Sequence, residues 1–142
     1  MPTIPTSFLM EFQQNPQHIV FKTYNSNGQI DCCERKNLLD EVSGFTQRFY
    51  ALGVTKGSRI AILADPSLRL SSVVMAILSL GAIVVPIPLS MRALLHKEDS
   101  VFINELINKN CSYVILSEDQ EALKLERLLD EAFEPVQVYS LD

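Results

Sequence analysis

Glycine is scarce in this chain, and the positions of the glycines exclude the common nucleotide-binding loops. The 142 residues include five glycines, at positions 28, 44, 53, 57 and 81. A P-loop and a dinucleotide-binding fingerprint both need closely spaced glycines directly after a strand, so neither can be drawn through this set. The segment Gly53–Gly57 encloses a lysine but precedes a predicted strand, and we interpret it as a helix-to-strand turn.

Cysteine and histidine are also few, which argues against a disulfide framework and against a zinc site. The three cysteines, Cys32, Cys33 and Cys111, lack framework spacing, and the two histidines, His18 and His96, stand apart from them in sequence. Neighbouring residues in a strand face opposite sides, so we expect ordinary packing rather than redox chemistry from the vicinal pair. The N-terminal residues lack the features of a signal peptide, which favours a cytoplasmic location.

A basic surface is lacking as well. The formal net charge is −5, and residues 118–142 alone hold eight acidic and two basic residues. The sequence therefore has no electropositive footprint for nucleic acid, and we expect no nucleic-acid partner. We interpret the acidic segment as a helix with its acids facing solvent and an inward stripe of Leu125, Leu128, Leu129 and Ala132.

One long uncharged stretch is present, and it does not predict a membrane span. Arg69 and Arg92 enclose 22 uncharged residues, a length that could cross a bilayer. Gly81, Pro86 and Pro88 interrupt the stretch. A buried helix followed by a buried strand of a parallel sheet explains the same residues, so we expect no membrane partner.

Apolar spacing predicts an α/β fold. A short helix from Ser7 to Gln14 and a hairpin around Asn25–Gly28 come first, followed by alternating helices and strands. The most regular helical stripe consists of Leu38, Val42, Phe45, Phe49 and Leu52, and the predicted strands are Arg59–Ala64, Ala82–Pro86, Ser112–Leu116 and Val136–Tyr139. The prediction is one domain over residues 1–142, a mostly parallel sheet with helices on both faces, preceded by a short helix and a β-hairpin.

The strand ends carry no recognisable catalytic centre. Ligands in open α/β sheets bind beyond the carboxyl ends of the strands. A catalytic or binding motif is therefore expected in the residues after Ala64, Pro86 and Leu116. No serine has the flanking glycines of a nucleophile elbow. Asp65 lacks the partners of a phospho-acceptor, which favours a turn or helix-capping role, and His18 and His96 are interpreted as surface residues. No catalytic, cofactor-binding or metal-binding residue is assigned.

Two segments carry a resemblance to a known family. The segments are "LLDEVSGFTQRFYALGVTKGSRIAIL" and "SLRLSSVVMAILSLGAIVVPIPLS". Together they give the order helix, Lys-Gly turn, strand, polar loop, helix and strand. This order resembles the N-terminal subdomain of adenylate-forming enzymes. The resemblance covers roughly residues 8–117. "VVPIPLSM" and the long connection after it look most like fatty acyl-AMP ligases, although Glu34-Arg35 replaces the Thr-Tyr pair that often opens the long helix.

The resemblance implies an ATP-dependent, acid-activating ligase. Such an enzyme makes an acyl-adenylate from a fatty or other carboxylic acid, using ATP and Mg²⁺, and passes the acyl group to coenzyme A or an acyl carrier protein. The phosphate loop, the Mg²⁺ ligand and the catalytic lysine of that family lie downstream of the matched region. The resemblance therefore implies an N-terminal subdomain that is inactive alone and works with downstream ligase subdomains.

Strand-end geometry suggests where such a subdomain would meet its substrate. The candidate residues for a subdomain junction or acyl-pocket rim are Asp65, Pro66, Ser67, Pro88, Leu89, Ser90 and Met91. An isolated subdomain would expose a face that it normally buries, which predicts self-association. The alternative hypothesis is a free-standing α/β binding or interaction module without enzymatic activity.

Overall fold

The computed structural model describes residues 10, 14, 17–24, 27–97, 100–132 and 134–141. Apart from Met10 and Gln14, which are helical, the predicted helix from Ser7 to Gln14 lies outside these residues. The chain divides into two compact units. The hairpin unit comprises residues up to Thr55 together with Pro66–Gly81, and the sheet unit comprises Lys56–Asp65 together with the residues from Ala82 onward. The prediction of a single domain stays a prediction.

The hairpin unit contains the predicted β-hairpin and two packed helices. Strands β1 (Ile19–Tyr24) and β2 (Ile30–Glu34) pair antiparallel, and helices α1 (Arg35–Ala51) and α2 (Leu68–Ser79) pack against each other. Four members of the predicted stripe on α1 are buried, namely Leu38, Val42, Phe45 and Phe49. The fifth, Leu52, is the C-cap and is exposed, because the helix has already ended there. Gly53 follows with a φ of 92°, the left-handed conformation that terminates many helices.

The sheet unit is built on four parallel strands. They are β3 (Arg59–Leu63), β4 (Ile83–Pro86), β5 (Tyr113–Leu116) and β6 (Gln137–Ser140), in the spatial order β4-β3-β5-β6. A 3₁₀ turn (Leu89–Met91) and helices α3 (Arg92–His96) and α4 (Ser100–Asn108) connect β4 to β5. Helix α5 (Asp119–Ala132) connects β5 to β6.

The core of the sheet unit lies between one face of the sheet and these helices. Alternate residues of β3 and β5 contribute Ala61, Leu63, Val114 and Leu116 to it. The helices contribute Leu95, Phe102, Ile103, Leu106, Ala122, Leu125 and Leu129. Side chains on the opposite face of the two strands, Ile60, Ile62 and Ile115, are buried as well. Burial on both faces is typical of parallel sheets, and the predicted α/β class is confirmed.

Helix α5 differs from its prediction at both ends. Leu125 and Leu129 are buried as expected, but Ala132 is exposed because the helix ends at that residue. At the other end, Glu121 is buried with 4% of its surface exposed, although the acids of this helix were expected to face solvent. Glu121 precedes Leu125 by four residues, so it lies on the same inward face of the helix.

The long uncharged stretch between Arg69 and Arg92 forms most of α2 and all of β4, as predicted. Among the described residues, no helix combines the length and the apolar character needed to cross a membrane.

The three cysteines differ in exposure, and this predicts their reactivity. Cys32 is exposed on β2, whereas Cys33 and Cys111 are buried. Burial raises the pKa of both buried thiols above 9.0, so neutral pH leaves them almost entirely protonated. We expect iodoacetamide at pH 8 to alkylate one thiol rapidly in the native chain and all three in urea. A Cys32→Ser variant should lose the rapid reaction, and rapid alkylation of Cys33 or Cys111 would contradict the packing.

Candidate functional site

The carboxyl ends of three strands meet at one edge of the sheet. The register pairs Ile62 of β3 with Pro86 of β4, and Leu63 of β3 with Leu116 of β5. Since the strands are parallel, the connections that follow them leave the sheet on the same side. Asp65 follows β3, the 3₁₀ turn and α3 follow β4, and Ser117 follows β5.

Polar side chains link these three connections. The backbone N–H of Asp65 donates a hydrogen bond to Ser117 Oγ at 2.8 Å. Arg92, the first residue of α3, donates from Nη1 to Asp65 Oδ1 at 3.0 Å. The segment after β3 is therefore held by its backbone to the end of β5, and by its side chain to the connection after β4.

Glu121 adds a buried negative charge to this arrangement. Arg92 Nε donates to Glu121 Oε2 at 2.9 Å, and His96 Nε2 lies 3.3 Å from the same oxygen. The carboxylate stands in the first turn of α5, where the helix dipole favours negative charge. Ion pairing and hydrogen bonding compensate its desolvation. We call Asp65, Arg92, His96, Ser117 and Glu121 the strand-end cluster.

Arg92 is the centre of the strand-end cluster. Its pKa is raised above its already high ordinary value, first by the hydrogen bond to Asp65 and also by the charge of Glu121, so the guanidinium is permanently charged. Its Nη2 atom is buried and has no hydrogen-bond partner within the described part of the chain. Two of the three guanidinium nitrogens are thus fixed by carboxylates on different elements.

The residues predicted to form a junction or pocket rim occupy exposed turns. In the sheet unit, Pro88, Leu89 and Ser90 are exposed, whereas Met91 packs partly against the core. The Pro88 carbonyl accepts a hydrogen bond from Met91 N–H at 2.9 Å, which closes the 3₁₀ turn. Arg92 directly follows this turn and reaches Asp65, so the structure links the two predicted segments within this unit.

Pro66 and Ser67 belong to the hairpin unit, and Ser67 has a clear local role. Its Oγ accepts a hydrogen bond from Leu70 N–H at 3.0 Å, which caps the N-terminus of α2. The capping role considered for Asp65 is thus taken by Ser67, while Asp65 is half-exposed and paired with Arg92. Pro66 is exposed.

Sequence reasoning missed four members of the strand-end cluster, namely Arg92, His96, Ser117 and Glu121. Arg92 and His96 lie on helix α3, in the long connection after β4, where no helix was predicted. Glu121 was grouped with the solvent-facing acids of its segment. The spacing of four residues between Glu121 and Leu125 is the signal that would have placed Glu121 on the inward face.

The described residues do not fit a metal site. Within these ranges, no group of three or more His, Cys, Asp or Glu side chains is arranged to hold a metal ion. The two carboxylates of the strand-end cluster both pair with Arg92. No residue described here is therefore assigned to Mg²⁺, and no reaction step is derived through it.

A separate open groove lies between α4 and α5 and has a volume of about 410 Å³. It is lined by Ile103, Asn104, Ile107, Leu128, Glu131, Ala132 and Glu134. Its lining is mainly apolar and includes two acids, Glu131 and Glu134. None of the residues predicted to form a pocket rim contributes to it.

The comparison with protein families decides where this fold belongs. The family model of AMP-binding enzymes matches residues 13–139, which is most of the chain. The chain belongs to the AMP-binding enzyme family. The resemblance to adenylate-forming enzymes is thereby confirmed, whereas the narrower likeness to fatty acyl-AMP ligases stays a prediction. No curated protein matches the chain.

Solved structures of similar fold agree with the family. The N-terminal subdomain of Klebsiella oxytoca NpsA in complex with 3-hydroxybenzoyl-AMSN has a TM-score of 0.70 and 16% identity, over 99% of this chain and 30% of that chain. VinN in complex with L-aspartate has a TM-score of 0.73 and 20% identity, over 99% of this chain and 35% of that chain. Unliganded O-succinylbenzoate coenzyme A synthetase (MenE) from Bacillus subtilis has a TM-score of 0.70 and 18% identity, over 94% of this chain and 26% of that chain. The chain therefore spans about a third or less of each of these structures.

Proposed function

We propose that this chain is the N-terminal part of an ATP-dependent ligase that activates a carboxylic acid as an acyl-adenylate. The observation that carries the proposal is the family match over residues 13–139. The α/β fold and its likeness to an N-terminal subdomain support the same assignment. In this reaction a carboxylate oxygen attacks the α-phosphorus of ATP and pyrophosphate leaves.

The chain is proposed to be inactive alone. Its sequence has no glycine-rich phosphate loop, and its described residues include no assembled metal site. ATP, Mg²⁺ and the reacting groups are therefore assigned to downstream subdomains. What the present residues supply is a packed parallel sheet that carries the strand-end segments.

The proposal also covers the substrate, the acyl acceptor, the location and the residues that border the acyl group. A fatty acid is the proposed substrate, coenzyme A or an acyl carrier protein the proposed acceptor, and the cytoplasm the proposed location. The segments Asp65–Ser67 and Pro88–Met91 are proposed to border the acyl substrate or a downstream subdomain. Two of the similar structures support this choice of acceptors by their names. One is O-succinylbenzoate coenzyme A synthetase, and the other is an artificially fused adenylation–PCP di-domain from Klebsiella oxytoca, which includes a carrier protein.

Acid-dependent exchange of labelled pyrophosphate into ATP tests the proposal. We expect the polypeptide from the complete reading frame to catalyse exchange with at least one acid from a panel of fatty, aryl and amino acids. The 142-residue chain should show none with any of them. Turnover by the short chain would contradict its assignment as an inactive part. A complete polypeptide that gives no exchange with any acid would favour the binding-module alternative.

A further inference from the structure

We propose that Arg92 is a positioning residue that holds the segment after β3 in place at the carboxyl edge of the sheet. One guanidinium there joins the connections that follow three neighbouring strands. It stands in the connection after β4, pairs with Asp65 after β3 at 3.0 Å, and pairs with Glu121 after β5 at 2.9 Å. The inference that this segment serves acid binding rests on the proposed function, whereas the positioning itself does not.

The segment after β3 has few other restraints within the sheet unit. Asp65 is half-exposed, and its side chain makes the ion pair with Arg92. Its backbone N–H donates to Ser117 Oγ at 2.8 Å. The direction of the segment as it leaves β3 therefore depends on the two hydrogen bonds of Asp65.

Glu121 fixes the guanidinium from the other side. Its side chain is 5% exposed and lies on the inward face of α5, so packing holds the carboxylate in place. The Nε–H of Arg92 points to this buried anchor, and the Nη1–H is thereby directed at Asp65. A planar guanidinium transmits this orientation, because its donors lie in a rigid fork.

Lysine cannot replace arginine in this geometry. An ammonium group carries its three N–H donors on one nitrogen at the end of a flexible stem, so it lacks the two separate nitrogens of the planar fork that reach Glu121 and Asp65. We therefore expect Arg92→Lys to keep much of the charge compensation but to lose most of the positioning. That difference separates a positioning role from a simple electrostatic contribution to stability.

Hydrogen exchange measured by mass spectrometry on the complete polypeptide tests the proposal. A peptide covering Ile62–Leu68 reports on the amide of Asp65, because only its first two residues lose their label before mass analysis, and a peptide within β3 serves as the internal reference. We expect Arg92→Gln to accelerate exchange at Asp65 by about tenfold, the effect of one lost hydrogen bond, and to leave β3 unchanged. Arg92→Lys should resemble Arg92→Gln. Asp65→Ala removes the same hydrogen bond without leaving Glu121 unpaired, and should show the same local acceleration, after correction for the intrinsic exchange rate of the new sequence, if Arg92→Gln does not fold.

Arg69→Gln is the matched control, because Arg69 is exposed and its contact with Glu41 is 4.0 Å long. We expect it to leave exchange at Asp65 unchanged. Equal acceleration over Ala64–Leu68 and β3 would overturn the proposal in favour of general destabilisation, and so would unchanged exchange at Asp65. Exchange is measured without substrate, so its result does not depend on the proposed function.

A kinetic measurement tests the link to acid binding. For the acid that supports pyrophosphate exchange, Arg92→Gln should raise KM several-fold more than it lowers kcat. An unchanged KM together with accelerated exchange at Asp65 would overturn the inference that the segment serves acid binding. A wild-type polypeptide that activates no acid would instead contradict the proposed function, while the exchange result at Asp65 would stand.

Discussion

Replacing Leu125 by alanine will lower the free energy of unfolding by about 2–5 kcal/mol, the range for a fully buried leucine. Leu125 is 0% exposed and lies in the core of the sheet unit with Leu63, Leu106 and Leu116. Truncation removes apolar contacts from helix α5 and leaves a cavity against the sheet. Urea denaturation followed by circular dichroism measures the change.

Leu123 provides a matched control on the same helix. It is the same residue type, two positions away, and it is 65% exposed. Leu123→Ala should change the free energy of unfolding by less than about 0.5 kcal/mol, because it removes few contacts and alanine is a better helix former. Similar losses from the two variants would contradict the orientation of α5 on the sheet.

Replacing Glu121 by alanine will have an effect of comparable size for an electrostatic reason. The change leaves the partly buried Arg92 without the carboxylate on its Nε side, and removing one partner of a buried ion pair typically costs about 3–5 kcal/mol. Asp65 still pairs with Arg92 and lies near solvent, so we expect a loss toward the lower end of that range. Urea denaturation at pH 7 measures it.

Two further variants show whether the pair or the single charge matters. Glu126→Ala removes an exposed acid from the same helix and should have a small effect. The double variant Arg92→Met with Glu121→Leu removes both charges and should be more stable than Glu121→Ala alone, because no unpaired buried charge remains. If the double variant loses as much stability as the single variants Arg92→Met and Glu121→Leu added together, the two groups do not interact.

The fold was largely predictable because its apolar pattern is regular. The spacing of Leu38, Val42, Phe45 and Phe49 can only be one face of a helix, and all four are buried. Short apolar runs such as Arg59–Leu63 between turn residues indicated strands of a parallel sheet, and the structure pairs them in parallel. These features depend on local periodicity, which a sequence displays directly.

The strand-end cluster was not predictable in the same way. The pairs that hydrogen-bond to each other in it lie 25 to 52 residues apart along the chain, and only the folded sheet brings Asp65, Arg92 and Glu121 together. Glu121 is one of eight acids in the C-terminal segment, and composition alone gives no reason to separate it from the other seven. The candidate residues after β3 and β4 were identified from a general rule about strand ends, which does not indicate which side chain will connect them.

The central claim is that this chain is part of an enzyme that forms an acyl-adenylate, and an oxygen-labelling experiment tests it most directly. The complete polypeptide is incubated with ATP, a thiol acceptor and an active acid whose carboxylate carries ¹⁸O, and the released AMP is analysed by mass spectrometry. If the carboxylate attacks the α-phosphorus and the thiol then displaces AMP, one ¹⁸O atom is transferred to each AMP. Release of ADP, or of AMP without ¹⁸O, would contradict the claim.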